Sequence, residues 1–334
     1  MFRQILTGTI MAIVINGAAL SKEQNAMKDD ANAVDRLQVI NTVKQVGSLA
    51  DAGDFAALQA LYAEEVMVDY SSLSGEKTSL KSAEKLMTEW ASVLPGFDVT
   101  HHAISDIKVV FSDSDKQGSE RQIATVTANV IADHFVNNMN WQVSGNYRYE
   151  LIKQDGQWRI VYHQFNVESE TGTRDVFSAA IENAAANPST YLRERQARAV
   201  VTDFLVALEQ KDMDAFSDVW SEDAVQDMPF SPEGFPKRVI GKENLIAHYA
   251  KWPEMSGDAN FTDNLRFYPM RDANTIFVEY TGSVDVLTTG RKYEQTYAGL
   301  FQIEDGKISL FREYYDPTLF AYAFALDSSS DPSH

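Results

Sequence analysis

The amino-acid sequence predicts an α+β protein of two tandem domains, each a curved, mostly antiparallel sheet packed on about three helices. A segment near residue 54 recurs near residue 212, and each copy follows a helix-periodic segment and precedes long alternating strands. At 334 residues the chain also exceeds the size at which single cores stop growing, about 250 to 300 residues. Two domains of one fold are therefore expected.

The internal repeat covers a whole domain rather than a short solenoid unit. Asp54 aligns with Asp212 and Asp69 with Asp227 at one spacing of 158 residues, and Asp54 has the features of a helix N-cap. Residues 35–50 and 192–210 precede the copies with apolar residues on one helical face. The strands expected after the copies are 97–111, 122–136, 141–153 and 158–167, then 261–269, 275–287, 292–304 and 307–315.

These segments predict the layout of the chain. The stretch between the copies is rich in alanine and ends in Asn-Pro-Ser-Thr, which is typical of a helix stop and restart. The predicted segments are a signal peptide (1–20), a flexible leader (21–34), a first domain (35–168), a linker with a short helix (169–191), a second domain (192–320) and a C-terminal tail (321–334).

The N-terminal segment has the features of a secretory signal peptide. Arg3 precedes a mostly apolar stretch, and the small residues Gly17 and Ala19 are spaced like a cleavage site. We therefore expect a periplasmic or secreted protein with no membrane association after signal removal. If residues 1–20 are instead an amphipathic helix, the protein is expected in the cytoplasm.

Charge and cysteine content exclude several function classes. The formal net charge is −19, and no basic cluster is present, so neither nucleic acid nor an anionic membrane is an expected partner. The chain has no cysteine, which excludes disulfides, thiolate nucleophiles and cysteine-ligated metals. A small molecule is the expected partner.

Two adjacent histidines, His101 and His102, open a predicted strand in "DVTHHAISDI". Successive side chains on a strand point to opposite faces, so only one of them can face the domain interior. We expect one of the two rings to face inward and the other to face solvent. A histidine beside a carboxylate can exchange protons near neutral pH, which suits proton removal next to a carbonyl.

The entry segment "EEVMVDY" and the endings "DGQW" and "DGKISLFREYYDP" resemble the nuclear transport factor 2-like superfamily. Its cystatin-like rolls include ketosteroid isomerases, scytalone dehydratase, SnoaL-type cyclases and the phenazine biosynthesis A/B proteins. The resemblance covers about residues 35–168 and 192–318. It implies two cone-shaped domains that pair as an intramolecular pseudo-dimer.

The first copy is similar to scytalone dehydratase in an ordered set of polar positions. The resemblance implies catalytic roles for Asp51 of "LADAGDF", Tyr70 of "VDY", His102 of "THH" and His134 of "ADHF". It implies substrate contacts for Ser144 and Asn146 of "VSGNYRYEL", and Trp141 on the same strand is a further candidate. Ala50 replaces a tyrosine of that family, which removes one of two hydroxyls that hold a water on the substrate carbonyl.

The second copy resembles the ketosteroid isomerase and phenazine A/B branch. Asp227 of "VQDMPF" aligns with the carboxylate that carries the proton in the isomerase, so it is a candidate for substrate contact. A carboxylate that faces an apolar cavity has a raised pKa, which suits a base. Phe204 replaces the tyrosine donor of the isomerase, and Asp227 has an equal claim to be a turn residue at a strand end.

The resulting hypothesis is a cofactor-independent lyase (dehydratase) or isomerase that acts on a small hydroxylated cyclic or polyketide-like ketone. The competing hypothesis is a non-catalytic protein that binds a small molecule or scaffolds a partner in the same cavities. A zinc site of His102, His134 and His163 lacks any supporting spacing, so no metal is expected. The lyase hypothesis requires both His102 and His134 to face one cavity, with Asp51 on a histidine.

Overall fold

The computed structural model of the protein describes residues 32–114 and 121–326. They form two compact units, and the division lies between Ser189 and Thr190. The predicted signal peptide, leader residues 21–31 and residues 327–334 of the tail lie outside the described residues. Within the described ranges, no helix combines the length and apolar character needed to cross a membrane.

The first unit is a mostly antiparallel sheet packed against helices, as predicted, and the sheet has six strands. Its sheet order is β2-β1-β6-β5-β4-β3, in which β1 and β6 are parallel and the other neighbours antiparallel. The helices are α1 (32–52), α2 (Phe55–Gln59), α3 (Ser71–Ser74), α4 (Ala83–Ala91) and α5 (Val176–Ala186), with a 3₁₀ turn at Leu94–Gly96. The strands are β1 (Tyr62–Asp69), β2 (Ser79–Ser82), β3 (Val99–Ser114), β4 (Arg121–Val136), β5 (Met139–Gln154) and β6 (Gln157–Gly172).

The second unit repeats this order with a seven-stranded sheet. The order is β10-β11-β12-β13-β7-β8, with β9 paired to β11, and β7 and β13 parallel. Its helices are α6 (Thr190–Gln210), α7 (Met213–Asp218), α8 (Lys242–Tyr249), α9 (Trp252–Met255) and α10 (Pro317–Ala323). Its strands are β7 (Trp220–Asp227), β8 (Arg238–Ile240), β9 (Ser256–Asn260), β10 (Arg266–Pro269), β11 (Thr275–Val286), β12 (Arg291–Glu304) and β13 (Lys307–Tyr314).

The internal repeat is visible in local contacts as well as in the sheets. The Asp54 carboxylate accepts a hydrogen bond from the Ala57 amide at 3.0 Å, which caps α2 as the sequence predicts. Asp212 caps α7 in the same way through the Ala215 amide at 2.9 Å. A capping carboxylate of this kind stabilises a helix by about 1 kcal/mol.

Residues 169–186, which we expected to lie in a linker, belong to the first unit. Strand β6 continues to Gly172, and helix α5 buries Val176, Ala180 and Ala184, which are four residues apart and share one helical face. A Cβ atom on Gly96 would lie 1.8 Å from the Ala180 carbonyl oxygen. Only glycine therefore permits this close approach of α5 to the 3₁₀ turn.

Two further boundaries in the second domain differ from the expected ones. The strand expected over 261–269 begins only at Arg266, because the amides of Phe261 and Thr262 donate to the Glu209 carboxylate instead of to a neighbouring strand. The tail expected from residue 321 begins later, because Ala321 and Ala323 of helix α10 are buried. Both changes arise from contacts between distant residues.

The boundary at α5 can be tested with two fragments. We expect a fragment of residues 32–189 to unfold cooperatively, and a fragment of residues 32–168 to lose that cooperativity because it exposes the surface that α5 covers. Urea unfolding followed by tryptophan fluorescence would distinguish them. Equal stability of the two fragments would contradict the assignment of α5 to the first domain.

Candidate active site

A cavity of about 240 Å³ lies between the helices and the concave face of the first sheet. His102 on β3 and His134 on β4 both line it, whereas His101 is exposed. The alternation of side chains along β3 therefore divides the two adjacent histidines as expected. The other polar lining residues are Tyr70, Glu89 and Tyr147, and the aromatic ones are Trp90, Trp141, Phe165 and Phe177.

Asp51 at the end of α1 binds both the ring and the backbone of His102. Its Oδ1 lies 2.6 Å from His102 Nδ1 and accepts from the Thr100 hydroxyl at 2.9 Å, and its Oδ2 accepts from the His102 amide at 2.8 Å. Burial raises the pKa of the Asp51 carboxyl, but the hydrogen bonds from His102 outweigh it and leave the pKa below its usual value. Because ionised Asp51 accepts the Nδ1 proton, Nε2 is the free ring nitrogen of His102.

His134 is the second histidine of the cavity and is almost fully buried. Its ring centroid lies 5.3 Å from that of His102, with the planes at 87°. Burial and the nearby His102 lower the pKa of His134 to about 4, so the ring is neutral at pH 7. Its Nδ1 is buried without a hydrogen-bond partner, an arrangement that costs free energy unless a ligand supplies the partner.

Helix α5 and strand β6 complete the cavity wall through residues that we expected in the linker. The Phe177 ring packs on Trp141, with centroids 4.9 Å apart. The Trp141 indole N–H donates to Glu170 at 2.8 Å, and Arg174 holds the same carboxylate through two hydrogen bonds. These contacts fix the orientation of the Trp141 ring against His134, whose centroid is 5.1 Å away.

Tyr70 lines the cavity next to a buried histidine for which the sequence offered no partner. His163 is fully buried among tyrosines, and burial lowers its pKa to about 3, so it is neutral. The Tyr62 hydroxyl lies 3.0 Å from His163 Nδ1, and the Tyr70 hydroxyl lies 3.4 Å from both ring nitrogens of His163. The only sequence signal for this cluster is that His163 occupies an inward position of β6.

The tautomer of His163 can be inferred from the needs of the two tyrosine hydroxyl groups beside it. If Nδ1 accepts from Tyr62, the ring proton is on Nε2, and neither ring nitrogen can accept a hydrogen bond from Tyr70. The Tyr70 hydrogen is then free to point into the cavity. The opposite tautomer would leave the buried Tyr62 hydrogen without an acceptor, at a cost of about 1–3 kcal/mol. Tyr70 is therefore a donor to the cavity.

Ser144 and Asn146 do not line the cavity, which corrects their predicted role. On β5 the buried positions are Trp141, Val143 and every second residue up to Leu151. Ser144 is three residues from Trp141 and so lies on the opposite face, where its hydroxyl is 2.8 Å from that of Ser169. Asn146 likewise donates to Glu168 at 3.0 Å. The resemblance was wrong at this strand because an alignment by residue type does not enforce the two-residue alternation.

Asp227 is also separated from a cavity. Its carboxylate accepts from Arg312 Nη2 at 3.0 Å and lies 3.3 Å from Arg238 Nε. It faces these two arginines on neighbouring strands rather than the apolar interior. The predicted role as a proton-carrying carboxylate is therefore not supported, because the carboxylate is paired with two arginines and does not line the cavity of the second domain.

The second domain has a cavity of its own, of about 200 Å³, and the Glu313 carboxylate lines it. Burial raises the pKa of the Glu313 carboxyl to about 7. The sequence signal was the alternation in "FREYY", where Glu313 shares the phase of the buried Phe311. A charged residue at an inward position of a strand is a sign of a binding or catalytic site.

The two cavities carry different chemistry at equivalent sheet positions. Val68 pairs with His163 in the first sheet, and Gln226 pairs with Phe311 in the second, so Phe311 stands where His163 stands. Tyr149 and Phe301 are equivalent residues, and they pair with Val126 and Ile276 respectively. His134 lies eight residues after Val126, and Val284 lies eight residues after Ile276. Val284 therefore occupies the position of His134. The second cavity therefore lacks both the His134 site and the His163 cluster.

Within residues 32–114 and 121–326, no group of three His, Asp or Glu side chains is placed to hold a metal ion.

The Tyr62–His163 contact can be tested through stability. His163→Phe should preserve packing, as Phe311 does in the second domain, but it leaves the Tyr62 hydroxyl without an acceptor and should cost about 1–3 kcal/mol. The double variant Tyr62→Phe/His163→Phe should recover part of that loss in a double-mutant cycle measured by urea unfolding. A double variant less stable than His163→Phe alone would show that the contact is not formed.

Acid should destabilise the first domain because two of its histidines are buried in the neutral form. Burial lowers the pKa of His134 to about 4 and of His163 to about 3. Below about pH 6.5 the unfolded chain therefore binds protons that the folded domain excludes, and each histidine should cost about 1.4 kcal/mol per pH unit. Hydrogen exchange of first-domain amides between about pH 6 and pH 4 measures this slope. His163→Phe should halve the slope of stability against pH, because one of the two buried histidines is removed. An unchanged slope would contradict the lowered pKa of His163.

The chain matches known proteins in both halves. Residues 31–163 match a model described as a SnoaL-like domain, and residues 201–311 match another with the same description. The uncharacterized protein YesE of Bacillus subtilis (strain 168) is 32% identical over 121 residues, which are 36% of this chain and 82% of that protein. An uncharacterized PhzA/B-like protein of Pseudomonas aeruginosa is 29% identical over 121 residues, which are 36% of this chain and 84% of that protein.

One solved structure is similar to part of the chain at lower identity. A Novosphingobium aromaticivorans protein, provisionally named a scytalone dehydratase, is 21% identical and covers 43% of this chain and 91% of its own, with a TM-score of 0.36. Together the two family matches extend from α1 into β6 of the first unit and from α6 into β13 of the second. The chain belongs to the SnoaL-like family and carries two of its domains in tandem.

Proposed function

We propose that the first domain is a cofactor-independent dehydratase or isomerase that acts on a small hydroxylated cyclic or polyketide-like ketone. The observation that carries the proposal is a connected set of three groups, in which Asp51 binds His102 from behind and both His102 and His134 line the cavity. Asp51 lies 2.6 Å from His102, and the His102 ring lies 5.3 Å from the His134 ring. This arrangement suits proton transfer and needs no group beyond the side chains present.

His102 is the proposed general base. Its Nδ1 proton is held by Asp51, so Nε2 can accept the proton from the carbon next to the substrate carbonyl. Asp51 then stabilises the imidazolium that forms, because the two charges lie in a partly buried site. The pair thus accepts a proton and holds it for the next step.

Tyr70 and His134 act on the two oxygens of the substrate in this proposal. The Tyr70 hydrogen is free to be donated to the carbonyl oxygen, on which negative charge develops as the proton leaves. His134 is neutral and presents an N–H donor to the hydroxyl. When that hydroxyl departs, the carbon–carbon double bond forms, the carbon–oxygen bond breaks, and the proton on His102 leaves with it as water.

The walls of the cavity restrict the substrate to a small and largely apolar molecule. Its volume of about 240 Å³ lies below the range of about 300–1,000 Å³ typical of sites for drug-sized ligands. Trp90, Trp141, Phe165 and Phe177 line it, and planar rings pack well against such walls. A single substituted ring fits this volume and lining.

Export from the cytoplasm and pairing of the two domains as a pseudo-dimer remain our proposals. Both derive from the sequence and its family resemblance, and neither is needed for the chemistry proposed for the first cavity.

The two adjacent histidines offer a matched test of the proposed base. With a panel of cyclic hydroxy-ketones in D₂O, nuclear magnetic resonance measures exchange of the proton next to the carbonyl. We expect His102→Gln to lower the exchange rate by about 10²-fold or more, and His101→Gln to leave it unchanged. Asp51→Asn should lower both the rate and the melting temperature, since Asp51 also binds the His102 amide.

The same panel distinguishes the two functional classes. A ketone that raises the melting temperature of the wild type but shows no exchange or loss of water would indicate a binding protein and contradict the proposed lyase. Equal exchange rates in His102→Gln and His101→Gln would show that His102 is not the base.

A further inference from the structure

The cavity of the second domain contains the partly buried carboxylate of Glu313, which forms no ion pair within the described residues, although Lys251 also lines the cavity. The Glu313 carboxylate accepts from the Tyr280 hydroxyl at 3.3 Å and lies 3.5 Å from the Gln226 amide nitrogen. Both donors are neutral and both contacts are long for hydrogen bonds. Arg312, its neighbour in sequence, binds Asp227 on the other side of the strand.

Aromatic rings form most of the remaining wall. Tyr280 and Tyr297 stack with centroids 4.8 Å apart, and Tyr293 packs edge-on against both Phe320 and Phe324. All five line the cavity together with Glu313. A cation among such rings is attracted by the negative faces of their π-systems.

We propose that the second cavity binds a small organic ammonium ion, which pairs with the Glu313 carboxylate inside the aromatic wall. An isolated buried carboxylate is unfavourable unless it is protonated or paired with a cation. An ammonium group supplies the missing positive charge, and its alkyl groups pack on the rings. The net charge of −19 further favours a cationic over an anionic ligand.

The first cavity does not share this property. Phe165 pairs with Tyr147 on β5, and Glu313 pairs with Gly299 on β12. Tyr147 and Gly299 are equivalent positions of the two sheets. The first domain therefore has the apolar Phe165 ring where the second has the Glu313 carboxylate. The two domains are therefore predicted to bind different chemical classes, and the ammonium site does not depend on the chemistry proposed for the first domain.

Ionisation of Glu313 gives the site a defined pH dependence. Since the pKa of Glu313 is about 7, raising the pH from 6 to 8 increases the ionised fraction, and hence the affinity for a permanent cation, by about tenfold. The other titratable groups facing the cavity are His248, Lys251, Tyr249, Tyr280, Tyr293, Tyr297 and Tyr315. Burial raises the pKa of each of these tyrosines, so they stay neutral in this range.

The test uses the full chain and two probes of nearly equal shape. Choline carries a permanent positive charge, and 3,3-dimethylbutan-1-ol is its neutral carbon isostere. By isothermal titration calorimetry at pH 8, we expect choline to bind at least tenfold more tightly than the alcohol. Glu313→Gln should remove this preference, and a melting temperature at or above that of the wild type would show that the variant folds.

Matched variants distinguish Glu313 from other groups that could cause choline binding or its pH dependence. His248→Gln should retain the rise in choline affinity between pH 6 and pH 8, whereas Glu313→Gln should abolish it. His102→Gln in the first cavity should leave choline binding unchanged. Equal affinity for the two probes, no binding of either, or choline binding that survives in Glu313→Gln would each overturn the proposal.

Discussion

The contact on which the first site depends is the carboxylate at the end of the first long helix. Asp51 accepts hydrogen bonds from the Thr100 side chain, the His102 backbone and the His102 ring, so it joins α1 to the edge strand β3 and orients the histidine at once. In the second domain, Glu209 at the end of α6 makes the same kind of link to the backbone of Phe261 and Thr262. A carboxylate at the end of the long helix therefore holds a distant backbone segment in both domains, and in the first domain the same contact also orients a histidine.

Burial of polar groups explains why the two cavities differ so much on one fold. A buried histidine or carboxylate must be neutral, paired or hydrogen-bonded, because the charged form is costly away from water. The first domain meets this condition with neutral His134 and His163 and with the Asp51–His102 pair. In the second domain, Trp220 and Phe311 occupy the positions of Tyr62 and His163, and Glu313 introduces a different polar group.

The replacement of Tyr62 and His163 by Trp220 and Phe311 also explains why one polar group in the second core has no described hydrogen-bond partner. The Trp220 indole N–H is buried without a described acceptor, at the position where Tyr62 in the first domain donates to His163. Because Phe311 has no acceptor atom, the second core keeps the ring packing but loses the hydrogen bond. The Phe301 and Phe311 rings stack there at 4.2 Å. Aromatic packing thus carries stability in one domain where a hydrogen-bonded cluster carries it in the other.

Local patterns in the sequence were sufficient for the repeat, the sheets, the Asp54 cap and the opposite orientation of His101 and His102, because each depends on neighbours within one strand or helix turn. They were insufficient where distant segments meet. Ser144 was assigned to the wrong face of β5 by a resemblance that ignored alternation, and Phe177 was missed because α5 looks like a linker until it packs over Gly96. The proton on His163 and the unpaired charge of Glu313 are properties of their surroundings. Those surroundings exist only once the strands are paired, so the tertiary structure alone decided which polar groups share a cavity.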